Sequence, residues 1–378
     1  MRTTTGSDGP DGADMRLDRR RRLLDAMAIH GVDVLVLGRP SEVAFATGAR
    51  QLWTAGTRPF GPAAIVVGDT GRIHLLATSD DGVPPELGAD DLFGLTWNPA
   101  NLAKALAEVP GLTKAQRVAT TSSTPGFGRF LGAIVPDAEV VDGGPVIAQA
   151  RAVKSADELA CIAEATAVAK EALAAMVDAL MTAPSISERD LLGVYLQRLG
   201  ELGTPTPPTE GVVCATATKG PVRLRHLATD RPIAHGQMVA FDVSADVAGY
   251  EGGLGRTFVA GPRPSEPRGR TGELAERCRA ALASTQDACR HGATGAEVRR
   301  AAVATGEPLP EVPIVIGVGI GVEPPVVAGA VGDQAVLQRG MVLAVSSWAA
   351  QEGTGGWFER NVLVVGDGAP EVISGERP

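Results

Sequence analysis

One arrangement occurs twice in the second half of this chain, and it limits the folds open to it. Ser155-Ala-Asp-Glu158 opens a long Ala-rich helical stretch, Pro184-Ser-Ile-Ser187-Glu-Arg-Asp190 opens a second helix, and strands follow. The same order returns as a helix over Leu274–Cys289, a helix start at Gly292-Ala-Thr294-Gly-Ala-Glu-Val298, and strands again. Ser155 is a good N-cap, because its hydroxyl accepts an N–H that the first turn leaves unpaired. Glu158, three residues on, completes a capping box. A duplicated unit of this kind fits two halves closing around a central cleft, and the Ser155 cap marks where the domain begins.

Upstream, Leu23-Leu24-x-x-Met27 has helical spacing and is closed at Gly31. Strands are expected at Val32–Leu37, Ala63–Val67, Ile73–Ala77, Val118–Thr120 and Glu139–Val141, with helices near Leu102–Val109 and Phe127–Ile134. The first 15 residues are polar and Gly-rich, which reads as a disordered tail; Met15 offers an alternative start. The fold class is therefore α/β (α+β). A tail over 1–15 precedes a small α/β domain over 16–148 and a larger domain with internal pseudo-twofold symmetry over 149–378.

Composition excludes more than it assigns. A formal charge of −9 over 378 residues argues against a nucleic-acid partner, which needs a basic footprint. Neither a signal-like apolar segment nor a run of about 20 apolar residues is present, so a soluble, cytoplasmic protein without a membrane partner is expected. Cys161, Cys214, Cys278 and Cys289 lack C-x-x-C spacing, so reduced, buried thiols are expected.

The segment Met238-Val-Ala-Phe-Asp242 … Gly249-Tyr250-Glu-Gly-Gly253-Leu-Gly-Arg256-Thr-Phe258 resembles the first metal-binding stretch of the pita-bread family of methionine aminopeptidase, aminopeptidase P, prolidase and creatinase. Arg151-x-x-Lys154-Ser155-x-x-Glu158 and Ala44-Phe45-Ala46-Thr47-Gly48 are similar to that family as well. The resemblance implies a creatinase-like N-terminal domain, a pita-bread catalytic domain and five metal-ligand positions. Asp242 keeps the first, whereas Gly253, Val318 and Ser346 replace an Asp, a His and a Glu. Glu359 fills the fifth once a one-residue deletion is allowed, and Val322 stands where a second catalytic His would fall. Two carboxylates cannot fix a pair of ions that activates water between them, so no metal and no other cofactor is expected.

His226 lies in a stretch, His226-Leu-Ala-Thr-Asp230-Arg231, that resembles the family's substrate-contacting His motif; in creatinase that His transfers the proton. Imidazole suits the task because both its forms are available near neutrality. Asp242 and Glu359 are expected together on the cleft floor. There they would act as an acid–base pair or a grip for a cationic group, or else stand as vestiges held by Arg256, Arg360 or backbone donors. Arg256 is also a substrate-binding candidate. Trp53, Arg58 and Phe60, with Arg50 as a further candidate, lie in a loop whose counterpart in creatinase-like dimers reaches the partner's cleft and meets the substrate's carboxylate. A homodimer with a small-molecule substrate is expected accordingly. The first functional expectation is a metal-independent enzyme acting on a C–N bond of a small, carboxylate-bearing molecule, with His226 as acid and base. A non-catalytic pseudopeptidase and a lyase are the alternatives, and an Xaa-Pro metalloaminopeptidase is the reading these residues favour least.

Overall fold

A computed structural model describes residues 12–49, 64–77, 79–94, 98–121, 125–183, 185–204, 207, 209–261 and 267–375. The chain divides into two compact units, Met1–Arg151 and Ala152–Pro378. Trp53, Arg58, Phe60 and Arg50 lie outside the described residues, as do residues 1–11 of the expected tail.

The first unit comprises α1 (Ala13–Ile29), β1 (Val34–Leu37), α2 (Pro40–Thr47), β2 (Ala64–Val67), β3 (Ile73–Ala77), β4 (Leu92–Gly94), α3 (Pro99–Ala107), β5 (Arg117–Thr120), α4 (Pro125–Ile134), β6 (Glu139–Asp142) and α5 (Gly144–Ala152). Its six strands form one mixed sheet in the order β4-β3-β2-β1-β5-β6. Val34, Val36, Ile65, Val67 and Val118 of β1, β2 and β5, with Leu76 of β3, are buried against α3 and α4, as expected of a sheet covered by helices. The helix α1 starts at Ala13 and buries Met15, so residues 13–15 belong to the fold rather than to a tail.

The second unit follows with α6 (Ala156–Thr182), α7 (Glu188–Glu201), β7 (Val212–Ala215), β8 (Met238–Val247), β9 (Tyr250–Val259), α8 (Arg270–Asp287), α9 (Gly295–Ala304), β10 (Val315–Gly319), β11 (Gly321–Val327), β12 (Val342–Gln351), β13 (Gly355–Val364) and β14 (Glu371–Val372). The duplication appears as two helix pairs, each followed by strands, and all strands join one sheet in the order β11-β10-β12-β13-β9-β8-β7, with β14 on β13. Capping boxes start α6 (Ser155/Glu158), α7 (Ser187/Asp190) and α9 (Thr294/Glu297).

Alternation decides which side chains meet the helices. Val239, Phe241, Val243 and Leu254 pack on α6 and α7, while Leu343, Val345 and Leu363 join the side chains of α8 and α9. Residues of the other parity, among them Ala240, Trp348 and Phe358, pack on the helix-free face with Leu224. The β8–β9 hairpin turns through Ala248 (φ 56°) and Gly249 (φ 86°), the two successive left-handed residues that a tight hairpin turn demands. Tyr250 then reaches Glu158 of the capping box at 2.6 Å, so the Gly-Tyr pair anchors the hairpin to α6.

Between β9 and β13 the two halves of the sheet meet at a seam. Arg360 opposite Gly255 is the register pair there. Beside it, the Thr257 hydroxyl donates to the Phe358 carbonyl (2.9 Å) and accepts from the Phe358 N–H (2.8 Å), standing in for ladder bonds.

Candidate functional site

The five positions set out by the family resemblance can be followed through the register. Asp242 on β8 faces Gly255 on β9, and Gly255 faces Arg360 on β13, which in turn faces Ser346 on β12. Gly253 lies on the same side two residues along β9, opposite Ser244. Alternation from Val315, which pairs with Val345, puts Val318 on that side too. Asp242, Gly253, Val318 and Ser346 therefore share the helix-free face, as a metal site would require.

Glu359 does not join them. It pairs with Ser347 and turns to the helices, where its Oε1 accepts from Trp357 Nε1 (2.9 Å) and Arg279 Nε on α8 (3.2 Å). The expected Asp242–Glu359 pair is thus corrected: the side chain that β13 brings to Asp242 is Arg360. Without the deletion, Gly355-Gly356-x-x-x places Arg360 itself at the fifth ligand position. Arg256 is corrected as well. Its guanidinium is buried and donates to the carbonyls of Gly255 (2.7 Å), Arg360 (2.7 Å) and Gly375 (2.9 Å), so it ties the seam and the C-terminal segment.

Arg360 Nη2 lies 2.9 Å from Asp242 Oδ1, and both side chains are close to nine-tenths buried. The charges touch without a hydrogen bond, since neither Asp242 Oδ1 nor Arg360 Nε has a partner in line. The two residues are two strands apart and meet over the empty middle position, Gly255. A Cβ there would stand 2.4 Å from the Phe358 ring and 2.8 Å from the Arg360 Cβ, so only glycine leaves the row open. Gly253 is closed by backbone instead: a Cβ would come within 2.3 Å of the Val243 carbonyl. Its neighbour Gly252 lets α6 approach, with Ile162 O and Thr166 N each 2.4 Å from a notional Cβ.

Burial pushes the Asp242 carboxyl up to about 6, with Arg360 and His226 pulling it down and Glu251 pushing it up. His226 is thus near enough for its charge to act on Asp242; it sits exposed in the loop between β7 and β8. Glu251 is buried, takes a hydrogen bond from the Thr209 hydroxyl (2.7 Å), and has the parity of Gly253 and Gly255. Period-two counting along β9 was the signal that could have revealed it. Ser346 and Ser347 are buried on opposite faces, and Cys278 beside Ser347 is pushed up to about 12 by burial, which leaves its thiol inert.

The motif residue Lys154 forms a buried ion pair with Glu323 and also donates to the Ala152 carbonyl at 3.3 Å. This accounts for the Lys of Arg151-x-x-Lys154 as a structural element.

The donor set does not suit a dication. Four of the five positions carry glycine, valine, serine and arginine, and the remaining carboxylate is covered by the arginine. Among the described residues no group of three or more His, Cys, Asp or Glu side chains is placed to hold an ion. Hard or borderline dications take several O or N donors.

Residues 160–366 match Metallopeptidase family M24, and residues 19–153 match the Creatinase/Prolidase N-terminal domain. The chain belongs to the M24 family, with the pita-bread architecture of creatinase, prolidase and aminopeptidase P. Among solved structures it is similar to the prolidase from Pyrococcus horikoshii OT3, with 20% identity, 95% of this chain and 99% of that chain covered, and a TM-score of 0.76. The Xaa-Pro dipeptidase from Bacillus anthracis is similar at 18% identity over 96% and 99% of the two chains, TM-score 0.74. The dipeptidase PepE from Mycobacterium ulcerans is similar at 22% identity over 97% and 96%, TM-score 0.71. No curated protein sequence matches significantly. Among the described residues, no helix is long and apolar enough to cross a membrane.

Proposed function

We propose that this chain is a metal-independent member of its family that acts on a C–N bond of a small, carboxylate-bearing molecule, with His226 as general acid and base. The row Asp242–Gly255–Arg360 carries the reading. A guanidinium set against the one carboxylate left in the ligand set supplies, within the protein, positive charge that dications would otherwise bring. Hydrolysis of a C–N bond takes one proton from water as the C–O bond forms and delivers one to nitrogen as the C–N bond breaks. An imidazole can do both in turn. Asp242, whose carboxyl feels the charge of His226, is the acidic group that the sheet sets on the side of that imidazole.

A non-catalytic, ligand-binding role is the second reading, favoured by the engagement of Asp242 with Arg360. Elemental analysis of the purified protein, followed by calorimetric screening of small amino-acid derivatives, separates the two. The expected results are substoichiometric metal and a substrate whose turnover falls about 10²–10⁴-fold in His226→Ala with unchanged thermal stability. One or two tightly held ions per chain would sink the proposal. Binding heats without product would favour the second reading.

A further inference from the structure

We infer that Glu188, the first residue of α7, is the positioning residue for His226 and acts through Arg225. The loop from Arg223 to Asp230 has no strand ladder, so side chains must set its shape. Glu188 is almost wholly buried and gathers the loop onto one carboxylate. Its Oε1 accepts from the Ala215 N–H at the end of β7 (2.8 Å) and from Arg225 Nη2. Its Oε2 accepts from Arg225 Nη1 (3.2 Å) and from both the N–H and the hydroxyl of Thr229 (2.8 Å each).

Arg225 then closes a ring around residue 226. Its Nη1 also donates to the Leu227 carbonyl (3.4 Å) and its Nη2 to the Ala215 carbonyl (3.3 Å), while its backbone N–H meets Cys214 Sγ (3.3 Å). On the far side, Arg189 N–H donates to the Thr229 carbonyl (3.2 Å), and its guanidinium pairs with Asp230. Between these ties only His226 and Leu227 stand out into solvent, Leu227 being 79% exposed. Burial alone would raise the Glu188 carboxyl; the bonds from Arg225, Thr229 and Ala215 outweigh it and hold the group below the usual carboxylate range, charged as the clamp requires. Charge-assisted bonds of this kind are the stronger ones. Within the loop, then, the freedom left to His226 is its own side chain, while the backbone on either side is held to the end of β7 and the start of α7.

The inference rests on His226 being the acting residue, but it is tested on where His226 sits rather than on turnover. A catalytically idle His226 would overturn the proposed reaction and leave this test readable. The full-length protein is labelled with ¹³C-histidine; His226→Ala identifies the His226 Cε1 signal among the five histidines. Asp242→Asn should displace that signal in the parent. In Glu188→Gln the same substitution should displace it by less than half as much. Amides of residues 225–229 should exchange about tenfold faster or more, while α7 and β8 keep their rates. An undiminished displacement, or exchange that rises equally through α7 and β8, would overturn the inference, the latter by making Glu188 a general structural group. Should Glu188→Gln fail to fold, Arg225→Met repeats the measurement. That side chain is a third exposed, and its loss leaves Glu188 its bonds from Ala215 and Thr229.

Discussion

Glu359 and Arg360 are neighbours on β13, yet they serve opposite faces of the sheet. Glu359 looks to the helices, where Trp357 and Arg279 hold it in an ordinary packing role. Arg360 looks to the helix-free face and meets Asp242 across a glycine. On the helix side, strand residues are the apolar and hydrogen-bonded groups any such sheet would need. On the other side, each ligand position except Asp242 has changed, and one change finds a partner: Arg360 crosses the space that Gly255 leaves open and meets Asp242. The contrast teaches that the scaffold and the site of this protein answer to separate constraints, divided by the two-residue period of a strand.

Breaking the Asp242–Arg360 pair should have the largest effect. Arg360→Met leaves a buried carboxylate without its counter-charge and should cost about 3–5 kcal/mol at pH 8. The cost should shrink at pH 5, where Asp242 is protonated. Urea unfolding at the two pH values checks both statements, and equal losses at both would mean that the guanidinium matters for packing alone.

The pH dependence of the parent sharpens the same point. Asp242 is held at about 6, above its unfolded value, so the folded state binds the proton more tightly. Its contribution is therefore fully present below about pH 4 and is lost as pH rises through about 6, a change on the order of 2–3 kcal/mol. In Asp242→Asn that slope between pH 4 and 6 should flatten. A variant that keeps the parent's slope would assign it to another group.

Gly253→Asp returns a carboxylate to its family position. Because a Cβ there strikes the Val243 carbonyl, the variant should lose about 1–3 kcal/mol. Titration with Mn²⁺ should give no more heat than the parent does. Tight uptake of the ion by this single substitution would mean that the ligand face is latent rather than rebuilt.

Glu359→Gln tests the helix side and should be the mildest, about 1 kcal/mol in thermal unfolding, with ligand binding unchanged. Weakened binding at unchanged stability would put Glu359 back in the site.

The sequence carried the architecture well because its signals are local. Ser155/Glu158, Ser187 with Asp190 and Thr294/Glu297 each announce a helix start within four residues, and all three form capping boxes. The site was half legible. Gly253, Val318 and Ser346 could be identified from motifs, and all three lie on the face of Asp242. Glu359 was assigned through a deletion of one residue, and in a strand one residue is the difference between the two faces. The row from Asp242 to Arg360 depends on β9 lying between β8 and β13, an order set by long-range pairing that no local pattern records. Glu188 was hidden for the same reason: within its own helix it reads as an ordinary acidic residue of the first turn.

The seam between β9 and β13 has a mechanical consequence. The ten-residue strands of each hairpin, β8 with β9 and β12 with β13, are laddered along their length. The seam instead is held by the Gly255–Arg360 register pair, the Thr257 hydroxyl, the buried Arg256 guanidinium and the Asp242–Arg360 charges. Shear across the sheet would concentrate along that line, and its one ionic rivet belongs to the candidate site. A guest that draws either charge to itself would slacken the rivet, so filling the site and stiffness of the sheet would be transmitted one to the other as load.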